Sequence, residues 1–296
     1  MIEQLKELME HRGWSQAHAA RALGKSSTVV SLYLRGQYKG GDIPALENDI
    51  AALIAREEEK DRSQKLAVSF VRTYTAKKCL EVIKMAHLDG EINVIYGDAG
   101  MGKTMVMRQY AEDNRTAILL EADPGYTARV VLEEICKKLE LSRSGNMHEL
   151  SDAIVLKLKN SGRILLIDEA ENLPHRALEV IRRLHDKAGI GVVLAGMPRL
   201  LVNLKGRRGE FKQLYSRVGF ALALGEHLPR GDIDDIAASM LHDAKNPAVG
   251  DALFEACKGN ARRLFKLLRG VHRYSVLNNT PVDAGAVKEF SKMLIN

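Results

Sequence analysis

Long apolar runs are missing from this sequence. No stretch approaches the length needed to cross a bilayer, and residues 1–24 carry acids in an amphipathic pattern rather than the apolar core of a secretory signal. Cysteine is scarce. Cys79, Cys136 and Cys257 lie far apart in the chain and make no metal-ligand spacing. These absences leave a soluble protein of a reducing cytoplasm, with the cysteines as small core residues. The 296 residues, 46% hydrophobic and 28% charged, are enough for two or three domains with cores of their own. A net charge of +6 is compatible with a nucleic-acid partner without requiring one.

One stretch organises the chain. Gly97-Asp98-Ala99-Gly100-Met101-Gly102-Lys103-Thr104 follows the apolar run Ile92–Tyr96 and opens a helical pattern from Met105 to Tyr110. This is Gly-x-x-x-x-Gly-Lys-Thr in the strand–loop–helix setting that the motif requires. The glycines let backbone N–H groups turn inward around phosphates, and the helix N-terminus adds its partial positive charge. Lys103 has the reach for β- and γ-phosphates, and the Thr104 hydroxyl is a magnesium ligand candidate. A nucleoside triphosphate site is expected here.

Residues 1–55 read as a small all-helical unit. Ile2, Leu5, Leu8 and Met9 space a first helix ending near Gly13, and Ser15 caps a second in which Ala19, Ala20 and Leu23 face inward until Gly24. A third helix carries Val29, Val30, Leu32 and Leu34 before Gly36. Trp14 to Gly36 resembles the helix-turn-helix of the phage-repressor, Cro-like family. In that resemblance Ser26–Leu34 is the recognition helix, with Ser27, Thr28 and Ser31 toward bases and Lys25 and Arg35 toward phosphates. The alternative is a helical unit used for protein contacts, since the segment has little net positive charge.

Leu46, Ile50 and Leu53 stripe a fourth helix, and Arg56–Ser63 is a mixed charge run expected to be an exposed helix end and linker. Residues 68–74 read as extended and 75–87 as a helix. After the phosphate loop, strands and helices alternate, the pattern of a parallel sheet covered on both faces. Strand 116–121 is followed by helices over 127–139 and 151–160. The aliphatic run Ile164–Ile167 then delivers Asp168 and Glu169 to a strand end. Asp168 is expected to hold Mg²⁺ through water, and Glu169 to polarise an attacking water. A helix over 175–188 and a strand over 191–196 complete this series.

Between Met197 and Gly219 the chain is basic, and Lys205-Gly206-Arg207-Arg208-Gly209 reads as a loop tip suited to backbone phosphates, with solvated surface charge as the alternative. Helices over 233–242, 248–257, 261–277 and 283–294 make a C-terminal lid, and Arg262, Arg263, Lys266, Arg269 and Arg273 lie along one of them.

The phosphate loop, the Asp168-Glu169 pair and the helical lid resemble an AAA+ ATPase. The order helix-turn-helix, ATPase core, helical C-terminus resembles the B transposition proteins of phage Mu and its prophage relatives over nearly the whole chain, most of all at Leu166–Glu171, Gly191–Gly196 and Leu214–Val218. The fold class this implies is α/β: an AAA+ P-loop parallel sheet (75–225) joined through a linker (56–74) to an N-terminal all-helical helix-turn-helix domain (1–55), with a C-terminal helical lid (226–296). The resemblance implies that Lys103 and Thr104 serve phosphate and magnesium, that Asp168 and Glu169 are the acidic pair, that Arg217 is an arginine finger reaching a neighbour's γ-phosphate, and that Arg262 is the second sensor arginine. The sensor usually found after Leu-x-Gly is polar, whereas Met197 stands there, and a thioether cannot orient water as an amide does; slow hydrolysis is expected. The implied partners are ATP, Mg²⁺, double-stranded DNA, a transposase and copies of the chain itself in an ATP-dependent helical oligomer, with no membrane. A nucleotide-switched repressor and another AAA+ loader or scaffold are the competing readings.

Overall fold

The computed structural model describes residues 1–62, 69–206 and 212–294. The chain divides into two compact units, Met1–Leu66 with His272–Thr280, and Ala67–Val271 with Pro281–Asn296.

In the first unit, α1 (Ile2–Arg12), α2 (Gln16–Leu23), α3 (Ser27–Leu34) and α4 (Ile43–Arg62) enclose a core of Leu5, Ala19, Ala20, Leu23, Val30, Tyr33, Leu46, Ile50 and Leu53. The helix starts follow from side-chain caps: Ser15 Oγ accepts from the His18 N–H, and Ser26 Oγ from the Val29 N–H. On α3 the expectation is corrected in one respect. Tyr33, with Val30, is buried, while Leu32 and Leu34 are half-buried. The Tyr33 hydroxyl donates to Glu47 Oε1 at 2.7 Å, which makes its burial affordable. Burial and the Glu47 carboxylate push its pKa up to about 12.

The charge run expected to be an exposed helix end and linker is, through Arg62, the last part of α4. Glu57 falls on the same stripe as Leu46, Ile50 and Leu53, and it is buried with Arg12 Nη2 3.3 Å from Oε2. Charge disguised a core-facing position because the ion pair, rather than an apolar side chain, fills it. The rest of that run, from Ser63, and Val68 lie outside the described residues.

The second unit begins with α5 (Tyr74–Asp89), preceded by residues 69–73, which form neither helix nor strand. It continues through β1 (Ile92–Tyr96), α6 (Lys103–Asp113), β2 (Ala117–Glu121), α7 (Ala128–Lys138), α8 (Met147–Leu158), β3 (Ile164–Asp168), α9 (His175–Ala188), β4 (Gly191–Gly196), α10 (Arg199–Lys205), α11 (Lys212–Tyr215) and β5 (Val218–Ala223). The helices α12 (Arg230–Met240), α13 (Pro247–Cys257), α14 (Ala261–Asn278) and α15 (Ala284–Lys292) complete the chain, the end of α14 grouping with the first unit.

All five strands run parallel in the order β2-β3-β4-β1-β5. Alternation along the strands feeds two cores. Leu165 and Ile167 join Leu132, Ile135, Ile154 and Ile181 on one face, while Ile164 and Leu166 join Ile83, Met107 and Ala195 on the other. β3 and β4 are buried throughout, as their unbroken aliphatic runs require.

Some elements differ from the sequence reading, among them α10 and α11, which are helices in the stretch read only as basic. α8 starts at Met147 rather than Ser151, because Asn146 and Glu149 form a reciprocal capping box that lengthens it. β5 is a strand that the sequence reading did not identify, beginning at the end of the basic stretch and running past it to Ala223. It is an exposed edge with a glycine and a register shift against β1, so its apolar signal is weak. Buried Asn93 on β1 stitches it in place: Oδ1 accepts from the Phe220 N–H at 2.9 Å, and Nδ2 donates to the Val82 carbonyl at 3.0 Å. All three cysteines are buried, and burial pushes the Cys79 thiol up to about 12, which keeps it protonated and inert.

Candidate nucleotide site

The phosphate loop leaves the end of buried β1 and runs into α6. Its position is fixed from both neighbouring strands: the Gly97 N–H donates to the Gly196 carbonyl of β4, and the Asp98 N–H to the Gly225 carbonyl just past β5. Gly100 and Gly102 adopt φ of 88° and 85°, left-handed values that L side chains disfavour. Residues 99–106 line a cavity of about 680 Å³, together with Phe70, Val71, Asp168, Glu169, Glu171, Asn172, Met197, Arg199, Leu228, Ile236, Arg262 and Phe265. Of the expected nucleotide residues, Ala99 through Met105 and Arg262 therefore meet at one cavity. Gly97 and Asp98 serve it through their carbonyls, which accept from Lys103 Nζ at 2.7 and 2.9 Å.

Burial lowers the pKa of Lys103, while Glu171, Asp168 and Asp98 oppose that fall and Arg262 adds to it. The last effect brings the lid arginine within electrostatic reach of the loop lysine. Thr104 Oγ1 donates to Asp168 Oδ2 at 2.6 Å, and Asp168 is 3% exposed. A hydroxyl and a carboxylate side by side are hard oxygen donors, the kind of partial ligand set that suits Mg²⁺ completed by water and phosphate. Among the described residues no group of three or more His, Cys, Asp or Glu could hold a metal unaided.

Glu169 follows Asp168 with φ of 51°, a left-handed conformation costing a non-glycine residue about 1 kcal/mol. That turn leaves its side chain exposed at the strand end, where Oε2 accepts from Asn172 Nδ2 at 3.2 Å. Asn172 Oδ1 in turn accepts from Arg199 Nη2 at 2.8 Å.

The lid reaches the loop directly. Asn260 caps α14, its Oδ1 accepting from the Arg262 and Arg263 N–H groups at 3.0 and 3.2 Å. Its Nδ2 donates to the Ala99 carbonyl at 2.8 Å. On the far side, Asp232 of α12, 2% exposed, accepts from the Tyr74 and Thr75 N–H groups at 3.0 and 3.1 Å and so closes the N-terminus of α5. Neither residue was evident from the sequence. Asn260 stood beside Arg262 in a recognisable tetrapeptide, but Asp232 carried no signal because its partners are 157 and 158 residues away.

Comparison with known proteins agrees with this geometry. The AAA domain family matches residues 87–204. The Mu-like prophage FluMu DNA transposition protein B of Haemophilus influenzae is 30% identical over 226 residues, spanning 74% of this chain and 77% of that protein. The chain belongs to the phage Mu transposition protein B family. Within that family, the ATP-dependent target DNA activator B of Escherichia phage Mu is 27% identical over 240 residues, covering 79% of this chain and 75% of its own. Among solved structures, the Aeropyrum pernix ORC2 protein matches with a TM-score of 0.58 at 17% identity, over 79% of this chain and 72% of that one. Domain III of the Thermotoga maritima initiation protein DnaA matches at 0.51 and 19%, over 77% and 94%. These likenesses establish the AAA+ fold of an ATPase core.

Other expected residues of this chain lie away from the cavity. Arg217 is not part of its lining; it is half exposed in the turn before β5, with Nε 3.3 Å from Asp186 Oδ1 on α9. Arg182 also pairs with Asp186 and binds Glu179 with two nitrogens. In the first unit Ser27, Thr28, Lys25 and Arg35 are exposed and Ser31 is half-buried, but Lys25 Nζ is 3.0 Å from Asp49 Oδ2. Lys205 is the exposed last residue of α10, 5.5 Å from the centre of the Tyr215 ring, while Arg207 and Arg208 lie outside the described residues. On α14, Arg262, Lys266, Arg269 and Arg273 are exposed, whereas Arg263 donates to the Ala256 carbonyl at 3.2 Å and belongs to the packing. Among the described residues, no helix is long and apolar enough to cross a membrane.

Proposed function

We propose that this protein is a slow ATPase that binds DNA largely without regard to sequence, oligomerises on it when ATP is present, and presents that target DNA to a transposase which it activates. The observation that carries the proposal is a complete phosphate loop and acidic pair in a chain related over three quarters of its length to an ATP-dependent target DNA activator.

Lys103 leaves the Gly97 and Asp98 carbonyls to meet the β- and γ-phosphates, and the loop N–H groups and the α6 N-terminus hold the rest of the anion. Thr104 and Asp168 would hold Mg²⁺, which supplies neutralisation of the phosphate charge. Glu169 orients and polarises the attacking water. Arg262 approaches the phosphates from the lid of the same subunit. Arg217 serves a neighbouring subunit, a role supported by its exposure outside the cavity, so that assembly depends on the nucleotide. Weak basic contacts, from Lys205, Arg207 and Arg208 and from Lys25, Ser27, Thr28, Ser31 and Arg35 of the helix-turn-helix, then add up along the oligomer into tight, salt-sensitive binding. Hydrolysis removes the γ-phosphate and releases the subunits, so it times occupancy.

Electron microscopy with double-stranded DNA tests this reading. ATP-dependent filaments on DNA of unrelated sequences are expected from the parent, none from Lys103→Ala, and long-lived ones from Glu169→Gln. Monomers with and without ATP would refute it. A single protected operator in a footprint would favour a repressor instead.

A further inference from the structure

The end of β4 lies beside the phosphate loop and lines the same cavity, where a polar group would distinguish three phosphates from two. The residue that follows the strand, Met197, has no donor to offer. Two positions later Arg199 opens α10 and lines the same cavity as Lys103, Asp168 and Glu169. Its guanidinium has five N–H donors in a planar fork suited to phosphate. One nitrogen, Nη2, donates to Asn172 Oδ1 at 2.8 Å, and Asn172 Nδ2 donates to Glu169 Oε2 at 3.2 Å. The orientation of this amide follows from chemistry: a guanidinium only donates and a carboxylate only accepts, so the oxygen must face Arg199 and the nitrogen Glu169.

A second observation concerns the charge balance of this corner. The Glu171 side chain is 6% exposed, with Oε1 4.0 Å from Arg199 Nη2. Its buried Oε2 has no hydrogen-bond partner. Glu171 is also the strongest charge acting on Lys103. One buried carboxylate therefore lies beside Arg199 and acts on Lys103, two cations that line the same cavity. With Nη2 on Asn172, the remaining donors of the Arg199 fork are available to an anion in the cavity that both cations line.

We propose that Arg199 is the γ-phosphate sensor of this ATPase, standing in for the polar side chain absent at Met197. It binds the γ-phosphate within its own subunit while keeping Asn172, and Asn172 acts as a positioning residue that sets Glu169 against the attacking water. The presence of the third phosphate is thus communicated to the general base by two hydrogen bonds. This deepens the ATPase reading above and rests on it.

The test is titration of the full-length protein, without DNA, with ADP and with a non-hydrolysable ATP analogue in the presence of Mg²⁺, alongside steady-state hydrolysis. Arg199→Ala is expected to weaken the ATP analogue about tenfold, the value of a lost charge-assisted bond, with ADP affinity unchanged; the latter also shows that the variant is folded. Asn172→Ala is expected to keep both affinities and the KM while kcat falls about tenfold. An unchanged preference for the ATP analogue over ADP in Arg199→Ala overturns the sensor, as does an equal loss for both nucleotides. An unchanged kcat in Asn172→Ala overturns the relay to Glu169. A parent protein that binds neither nucleotide would instead overturn the ATPase reading itself.

Discussion

Asn260 joins the lid to the phosphate loop: its side-chain amide donates to the Ala99 carbonyl at 2.8 Å while its oxygen caps α14. The adjacent Ala261 N–H donates to the Gly100 carbonyl at 3.1 Å. A Cβ at position 100 would collide with the Asn260 side chain, so that glycine answers both to its backbone conformation and to the lid. Lid position and loop position are one variable here, and nucleotide binding acts on both.

Asn260→Ala should therefore do two things. Loss of the cap costs about 1 kcal/mol of stability, read as a lowered melting temperature. Loss of the loop contact weakens ATP several-fold through an increased dissociation rate. A variant that melts lower yet binds ATP like the parent would show that the Ala99 contact is only structural.

Asp232 presents a different case, since it touches no expected nucleotide residue. Both of its oxygens accept backbone N–H groups at the start of α5, and Thr75 there is buried. Asp232→Ala leaves those donors unsatisfied and should cost about 3 kcal/mol in equilibrium denaturation. A cost below about 0.5 kcal/mol, the level of an ordinary surface substitution, would contradict the capping role.

Arg217 yields a complementation experiment. If it acts across a subunit boundary, Arg217→Ala and Lys103→Ala are each inactive in DNA-stimulated hydrolysis, but a mixture regains activity. The first contributes an intact loop and the second an intact arginine. Mixtures as inactive as their components would place Arg217 in its own subunit's chemistry or outside the reaction.

The Arg182 hydrogen bonds, aided by Arg183, hold the Glu179 carboxyl at a pKa of about 2 against its ordinary 4.5. A depressed pKa means that the folded state prefers the charged form. The contribution to stability is complete above the ordinary value and is lost as pH falls from about 4.5 toward 2. Glu179→Gln should flatten the fall in melting temperature across that window. Superimposable pH profiles for parent and variant would refute the assignment.

Much of the nucleotide site was legible in the sequence because its signals are local. Lys103 and Thr104 sit at fixed offsets from their glycines, and Asp168-Glu169 ends a run of aliphatics that only a buried parallel strand accommodates. Ser15 as a cap, and the limits of α9 and β4, are local for the same reason. Where an element depends on a distant partner, the signal fails. β5 is a strand because Asn93 and β1 hold it, and Glu57 is buried rather than solvated because it finds Arg12.

The sequence alone therefore determined which chemical groups this protein possesses and the order in which they reach the sheet, since periodicity and turn chemistry act within a few residues. Tertiary structure decided which groups meet. Asn260 on Ala99, Asp232 on α5 and Arg199 on Asn172 unite residues 161, 158 and 27 positions apart. Each hydrogen bond needs the fold to bring its partners together, and at buried Asp232 the fold also removes water as the competing partner.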